Sequence, residues 1–200
     1  MLLLLASLAA AGCGGGANPV VQPPSSFADR LPDPFPRSQT RPLRERDYTT
    51  GVPAGWNARV TRGDGTRTHY LNSGSGHATD YGLAGPEQVG LTIANQRTQD
   101  ASATAALNRI VGTPPSAVGV KRIAPVADAR LAGAEAATTQ YTYTEGGVTY
   151  VQSNLVAVTG SVTIFIEVDA PPDRADTAAR TFATVIENWR WRTGRGGVNS

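Results

Sequence analysis

Residues 141 to 168 combine strand-like alternation with two short turn signals, and this pattern constrains the fold more than any other stretch. Gly146-Gly147 predicts a two-residue turn that pairs Glu145 with Val148, and Thr159-Gly160 predicts a second that pairs Val158 with Ser161. Three consecutive antiparallel strands are therefore expected. By strict alternation, one face of their sheet is apolar and forms core. It carries Thr142, Val151, Leu155, Ala157, Val162, Ile164, Ile166 and Val168.

The opposite face of these three strands mixes aromatic and polar residues. It carries Tyr141, Tyr143, Tyr150, Gln152, Asn154, Thr163, Phe165 and Glu167. We predict that five of them bind a ligand, because amphipathic rings paired across a hairpin suit contacts with glycans, lipids or a partner protein. These five are Tyr141, Tyr143, Tyr150, Gln152 and Asn154. The alternative is structural: a helix over residues 103–111 covers the tyrosines.

A helix is predicted after the strands, because Pro171-Pro172 opens a segment with apolar residues at helical spacing. These residues are Ala175, Ala178, Ala179, Phe182, Val185, Ile186 and Trp189, and they are expected to pack on the core face. Earlier in the chain the sequence predicts a hairpin (56–62 with 67–71), a strand (88–97), and a helix from Asp100 or Ser102 to about Val111. Residues 121–126 are interpreted as a strand or rim segment and 128–133 as a turn. The whole is an α+β domain.

The first 45 residues differ from the rest. Met1 to Ala11 form an apolar run that is long enough for a signal peptide and too short to span a bilayer as a helix. Gly12 and Cys13 follow it, and this small-small-Cys ending resembles the lipobox of bacterial lipoproteins, which implies diacylation of Cys13 and a membrane anchor. The alternative is an ordinary secretory signal cleaved nearby. We predict residues 1–12 as signal peptide, 13–45 as the anchored cysteine and a disordered Pro/Gly-rich linker, 46–192 as the domain, and 193–200 as a flexible tail.

Four stretches carry a family resemblance. They read VPAGW (52–56), YTYTEGGVTYVQ (141–152), VTIFIEV (162–168) and RTFATVIENWRW (180–191). In order and pattern the domain resembles the LpqN/LpqT lipoproteins of mycobacteria and their relatives, which share the PsbP-like fold. The resemblance implies a twisted antiparallel sheet flanked by helices, and an envelope accessory protein that binds something without doing chemistry. The matching residues are core and turn positions, so no functional residue is carried over.

Composition excludes several functions. The net charge of +2 is too small for a nucleic-acid binder, and a single cysteine allows no intrachain disulfide. The Gly74–Gly85 loop lacks the lysine of a phosphate-binding loop, and Ser73 and Ser75 lack a nucleophile elbow. Arg62-Gly63-Asp64 spells an adhesion tripeptide at a hairpin tip. No catalytic residue, metal ligand or cofactor is predicted.

The sequence thus predicts a non-enzymatic lipoprotein on the outer face of the cell membrane, whose domain binds an envelope protein, a lipid or a glycan. Two alternatives remain open. One is a carrier whose apolar cavity holds a lipid or glycan. The other is a metal-dependent hydrolase that uses His69, His77 and Asp80.

Overall fold

The computed structural model of the chain describes residues 31–63, 65–74, 88–110, 117–160 and 162–192. Within these ranges the chain forms ten β-strands and two α-helices. The strands are β1 Thr40–Arg44, β2 Tyr48–Pro53, β3 Asn57–Gly63, β4 Thr66–Asn72, β5 Gly90–Arg97, β6 Val118–Leu131, β7 Ala134–Glu145, β8 Val148–Thr159, β9 Val162–Ala170 and β10 Arg190–Trp191. The helices are α1 Ala103–Ile110 and α2 Ala175–Glu187. This architecture confirms the predicted α+β fold.

Seven strands form one antiparallel sheet in the order β3-β4-β5-β9-β8-β7-β6. Three further strands form a small antiparallel sheet in the order β1-β2-β10. The β7-β8 turn is confirmed: Glu145 pairs with Val148, and both intervening glycines have the positive φ that such a turn requires.

The predicted turn between β8 and β9 is displaced by one residue. Thr159 pairs with Val162, so Thr159 belongs to the strand and not to the turn. Val158 accordingly pairs with Thr163 and not with Ser161. Because the displacement moves the pairing by two positions along β9, every side chain keeps its predicted face.

The main core lies between the large sheet and α2, as predicted. Phe182 and Val185 of α2 are buried against Leu155, Ile164 and Ile166 of the sheet. Trp189 follows the helix, is fully buried, and stacks on Tyr48 with ring centroids 4.2 Å apart. This stack joins α2 to the small sheet, whose Thr50 hydroxyl donates to the Val185 carbonyl at 2.7 Å.

The other helix, α1, packs on the opposite face of the large sheet. Its residues Ala103, Ala106 and Leu107 form a second apolar cluster with Ala137 and Val156. The sheet is therefore covered on both faces. At the start of the helix, the Ser102 hydroxyl accepts a hydrogen bond from the Ala105 amide, as expected of a cap.

Two predicted segments are wrong. Residues 128–131 continue β6 and do not form a turn; the turn is only Ala132-Gly133, and both residues have positive φ. Residues 40–45 belong to the predicted linker, yet Thr40–Arg44 form β1, because Leu43 buries its side chain in the main core and the strand pairs with β2.

The remaining amino-terminal assignments, including Cys13 and the signal peptide, and the tail 193–200 lie outside the described residues. Within the described ranges, neither helix has the length and hydropathy needed to cross a bilayer.

Candidate functional site

The sheet face under α1 has an apolar half and a polar half. The apolar half is a cross-strand row that includes Ala94, Phe165, Val156 and Ala137, and α1 packs over it. The polar half begins with the next row. We call seven of its buried polar side chains the polar patch, and they are Asn72, Thr92, Tyr143, Gln152, Asn154, Glu167 and Asp169.

Strand register places the polar patch. Thr92 of β5 pairs with Glu167 of β9, and Glu167 pairs with Asn154 of β8, so these three form one row. Asp169 and Gln152 are paired in the following row. Because alternate residues of a strand share a face, the charged residues of the sequence Glu167-Val168-Asp169 point to the same side.

The two carboxyl groups of the polar patch, on Glu167 and Asp169, are buried and affect each other's pKa. Burial raises the pKa of Glu167 well above its usual value, and neighbouring Asp169 raises it further. Burial also raises the pKa of Asp169, to about 6, although hydrogen bonds from Glu167 and Tyr143 act in the opposite direction. Tyr143 donates its hydroxyl to Asp169 Oδ1 at 3.1 Å, and Gln152 is hydrogen-bonded to Glu167. Burial therefore favours the protonated form of both carboxyl groups.

Several atoms of the polar patch are buried without a hydrogen-bond partner. Across the described part of the chain ten buried side-chain atoms lack one, and six of these belong to this patch. A buried polar atom left unpaired costs about 1–3 kcal/mol of stability, so such atoms are seldom concentrated in one place. The six are Asn72 Oδ1, Thr92 Oγ1, Gln152 Oε1, Asn154 Oδ1, Asn154 Nδ2 and Asp169 Oδ2.

Two of the three predicted tyrosines lie at the end of the polar patch. Tyr143 and Tyr150 are directly paired on β7 and β8, and their rings stack at a centroid distance of 5.4 Å. They form a cluster with Ala117 and Val148, separate from the residues that α1 covers. The expectation that the helix over 103–111 covers these tyrosines is thus wrong for the described contacts.

Tyr141 is the third predicted tyrosine and lies on the same face, next to β6. It is paired with Gln152, but its hydroxyl accepts hydrogen bonds from the Arg122 guanidinium at 2.8 and 3.2 Å. The same guanidinium lies 5.3 Å from the ring centroid. The structure thus brings all five predicted residues onto one face of the sheet, where the Tyr141 hydroxyl contacts Arg122 of β6. Ligand binding by the five stays a prediction.

Four members of the polar patch are not among the site residues predicted from sequence, namely Asn72, Thr92, Glu167 and Asp169. A signal for the carboxyl pair was present, because two acidic residues at alternate positions inside an otherwise apolar strand share a face. The sequence contains no such signal for Asn72 and Thr92, since single polar residues at strand positions are common.

His69, a metal-ligand candidate of the hydrolase alternative, is buried on the α2 side of β4. Its Nε2 lies 2.7 Å from Glu45 Oε1, and Glu45 Oε2 also pairs with Arg67 at 3.0 Å. Burial lowers the pKa of His69, while the hydrogen bond and charge of Glu45 act to raise it. A neutral His69 that donates to Glu45 is therefore a structural link between β4 and the end of β1.

The other members of that alternative, His77 and Asp80, lie outside the described residues, as do Ser75 and Asp64. Ser73 accepts a hydrogen bond from the Val89 amide. Among the described residues, no group of three histidine, cysteine or acidic side chains is arranged to hold a metal ion.

Two cavities formed by described residues have linings that are more polar than apolar. One, of about 1020 Å³, lies between the β3-β4 tip, β5 and residues 45–47, and its lining includes Arg62, Arg67 and Arg97. The other, of about 510 Å³, lies on the small sheet and is lined by four arginines. Neither has the apolar lining that the carrier alternative requires.

Comparison with known proteins identifies the fold. No protein-family model matches the chain, and no curated protein matches it in sequence. The structure is similar to cyanobacterial PsbP (CyanoP) from Synechocystis, with a TM-score of 0.54 at 15% identity over 79% of this chain and 95% of that one. The domain therefore has a PsbP-like α+β fold.

Two further solved structures are more distant. LpqN of Mycobacterium tuberculosis, described as involved in cell envelope biogenesis, has a TM-score of 0.43 at 14% identity over 76% of this chain and 90% of LpqN. A Bacteroides thetaiotaomicron protein has a TM-score of 0.44 at 14% identity over 73% of this chain. This chain spans 45% of that protein, which is less than half of its length.

Proposed function

We propose that the chain is a non-enzymatic envelope lipoprotein whose domain binds a glycan through the polar patch. The single observation that carries the proposal is the concentration of partnerless buried atoms there. Hydrogen-bonding groups without a protein partner gain most from a ligand that supplies one. The location in the envelope rests on the lipobox-like sequence that ends at Cys13.

The chemistry of the patch favours a polyhydroxylated ligand. Asn154 has both a hydrogen-bond donor and an acceptor without a protein partner, and each sugar hydroxyl can donate one hydrogen bond and accept others. The carboxylate of Asp169 disfavours an anionic ligand, and the stacked rings of Tyr143 and Tyr150, which are buried in the free domain, form an apolar cluster beside the polar side chains. The rigid pairing of β5, β9 and β8 holds these groups in fixed positions.

Titration with soluble fragments of envelope glycans tests the proposal, with binding heat and the shift in unfolding temperature as readouts. Asn154→Leu removes two of the partnerless atoms and should abolish binding. Ser153→Ala is the matched control, because Ser153 is the next residue of β8, is also buried, and faces the other side of the sheet, where it bonds to Gln140. Equal binding by the two variants would show that the patch is not the site.

A second candidate function is acid–base catalysis by Glu167 and Asp169. The favouring observation is that two carboxyl groups lie side by side on β9 and that burial raises the pKa of both, that of Asp169 to about 6 and that of Glu167 well above its usual value. A hydrolase of this kind would turn over the glycan that it binds. Glu167→Gln separates the two functions, because it removes the proton donor of an enzyme but leaves hydrogen-bonding atoms for a binding protein.

A further inference from the structure

The arginine-lined cavity of about 510 Å³ on the small sheet is a second surface with a distinct chemistry. We call it the arginine groove, and it is lined by Arg37, Thr40, Arg41, Pro42, Arg44, Thr49, Thr50, Gly51, Asn188 and Arg192. Four of these residues are cationic and none is acidic. The charge is therefore far more concentrated here than the chain's net charge of +2 indicates.

Three of the four cations are not neutralised. The side chains of Arg37, Arg41 and Arg44 form no ion pair or hydrogen bond with any described residue, whereas Arg67 and Arg109 pair with Glu45 and Asp100. Like charges held in one concavity repel one another, and a bound anion removes that repulsion. The groove thus favours an anionic occupant.

The fourth cation and the floor of the groove are fixed by the protein. Arg192 Nη1 donates to the Glu45 carbonyl at 2.8 Å, which joins the end of β10 to the end of β1. Asn188 donates to the Thr184 carbonyl at 2.9 Å and packs on Gly51, where a Cβ would lie only 3.1 Å from it. The arginines therefore surround a defined floor.

The groove lies where the chain enters the domain. Phe35 donates its amide to Thr184 Oγ1 of α2 and places its ring 4.5 Å from the Arg180 guanidinium carbon, and Arg37 follows two residues later. Cys13 precedes Leu31 by 18 residues, a span of at most roughly 60 Å when fully extended. A membrane anchor at Cys13 would thus keep the groove close to the bilayer surface.

We propose that the arginine groove binds the phosphate-bearing headgroups of anionic membrane lipids and docks the domain on the bilayer. This inference rests on the proposed anchor, which supplies the proximity. Guanidinium groups bind phosphate oxygens through paired hydrogen bonds, and a cluster of three unpaired arginines offers several such contacts. Each basic residue near an anionic surface strengthens docking about fivefold, so three should strengthen it roughly 100-fold.

The test uses the full chain coupled through Cys13, its only cysteine, to a maleimide-bearing lipid in vesicles. Energy transfer from its tryptophans to a dansyl-labelled lipid measures how closely the domain approaches the bilayer. We expect greater transfer in vesicles that contain phosphatidylglycerol than in vesicles of phosphatidylcholine alone. Because the coupling supplies the anchor, the result does not depend on whether cells acylate Cys13, and a failure of the anchor is measured separately.

Two triple variants locate the interaction. Arg37→Gln, Arg41→Gln and Arg44→Gln together should abolish the added transfer. Arg62→Gln, Arg97→Gln and Arg174→Gln remove the same charge from exposed arginines outside the groove and should retain most of it. Equal transfer in both vesicle types, or equal loss in the two variants, would overturn the proposal.

Soluble anions separate a phosphate site from a surface of general positive charge. At matched ionic strength, sodium phosphate should reverse docking more effectively than sodium chloride, because it competes for the same guanidinium groups. Equal effects of the two salts would overturn a phosphate site. Phosphate binding in the groove without vesicle docking would overturn the lipid as its source.

Discussion

At the scale of single residues, the buried carboxyl pair should make stability depend on pH. Asp169 has a folded-state pKa of about 6 and an ordinary value near 3.8, so the folded protein binds the proton more tightly than the unfolded chain. Its contribution is therefore fully present below about pH 4 and is lost as the pH rises through about 6. A shift of this size corresponds to about 3 kcal/mol.

Asp169→Asn tests this dependence, because asparagine keeps the shape and cannot ionise. We expect the fall in the free energy of unfolding between pH 4 and pH 7 to shrink in the variant, as measured by urea denaturation at each pH. Asp176→Asn, at an exposed position of α2, should leave the pH profile unchanged. A profile for Asp169→Asn that parallels the wild type would mean that the carboxyl does not titrate in the folded state as argued.

A different residue-scale prediction concerns Thr92, whose hydroxyl is buried and has no partner within the described residues. Thr92→Val has nearly the same shape and removes the unpaired oxygen, so it should raise the free energy of unfolding by about 1 kcal/mol. Thr50→Val is the control, since Thr50 donates to the Val185 carbonyl and its loss should lower that free energy by about the same amount. Thermal or urea unfolding of both variants provides the measurement.

Stability and glycan binding of the Thr92→Val variant, measured together, test whether Thr92 serves function. If Thr92 contributes to binding, the variant should be more stable than the wild type but bind the glycan more weakly. A Thr92→Val protein that is destabilised would indicate that the hydroxyl has a partner in the folded protein. Unchanged binding would remove Thr92 from the site.

Alternation along a strand predicts which site residues share a face of the sheet, but it does not predict which polar residues of neighbouring strands are buried beside them. Tyr143, Tyr150, Gln152 and Asn154 share a face because residues two apart on a strand must do so. Pairing of Glu167 with Thr92 depends on β5 lying beside β9, although more than sixty residues separate the two strands in sequence. No local pattern encodes that adjacency.

At the scale of elements, α2 carries much of the core and offers the clearest stability test. Phe182 is fully buried in the cluster that includes Ile164 and Ile166. Phe182→Ala should lower the free energy of unfolding by about 3–5 kcal/mol, through lost burial and the cavity left behind. Asp176→Ala on the exposed side of the same helix should change it by less than about 0.5 kcal/mol. A loss below about 1 kcal/mol for Phe182→Ala would contradict the packing of α2.

Elements with a buried face were predicted better than elements at the edge. The amphipathic pattern of α2 and the alternation in β8 and β9 arise because one side of each element is buried, so the sequence pattern predicts the element. β6 is an edge strand with three register irregularities, and its Val118 and Ile123 are 64% and 47% exposed. Because most of its side chains are not buried, its sequence does not alternate. From sequence, residues 121–126 are therefore interpreted only as a strand or rim segment and residues 128–133 as a turn.

β1 is not predicted from sequence because it, too, has little buried surface. Its five residues include Pro42 and three polar residues, and Leu43 alone is buried. Proline is compatible with an edge strand, which β1 is, because an edge leaves half of its amides without strand partners. A single buried leucine among arginines and prolines is indistinguishable, in sequence, from a linker.

At the scale of the whole molecule, anchor, groove and polar patch occupy different places. The arginine groove lies on the small sheet beside the chain entry, and the polar patch lies on the face of the large sheet that α1 partly covers. A domain docked through the groove could therefore still bind a ligand through the patch. Glycan binding should accordingly be unaffected by the groove triple variant, measured by the same titration in solution.

The membrane anchor is tested by Cys13→Ser, which keeps the size of the residue and removes the acylated thiol. We expect the variant to move from the membrane fraction to the soluble exported fraction, because it carries no acyl chains and the apolar run Met1 to Ala11 is too short to span a bilayer as a helix. Ser26→Ala, which leaves Cys13 intact, should stay with the membrane. Inhibition of the lipoprotein signal peptidase with globomycin should also block maturation of the wild type. A Cys13→Ser chain that remains cell-bound, together with processing that globomycin does not affect, would contradict the anchor while leaving the groove and the polar patch to be judged by their own variants.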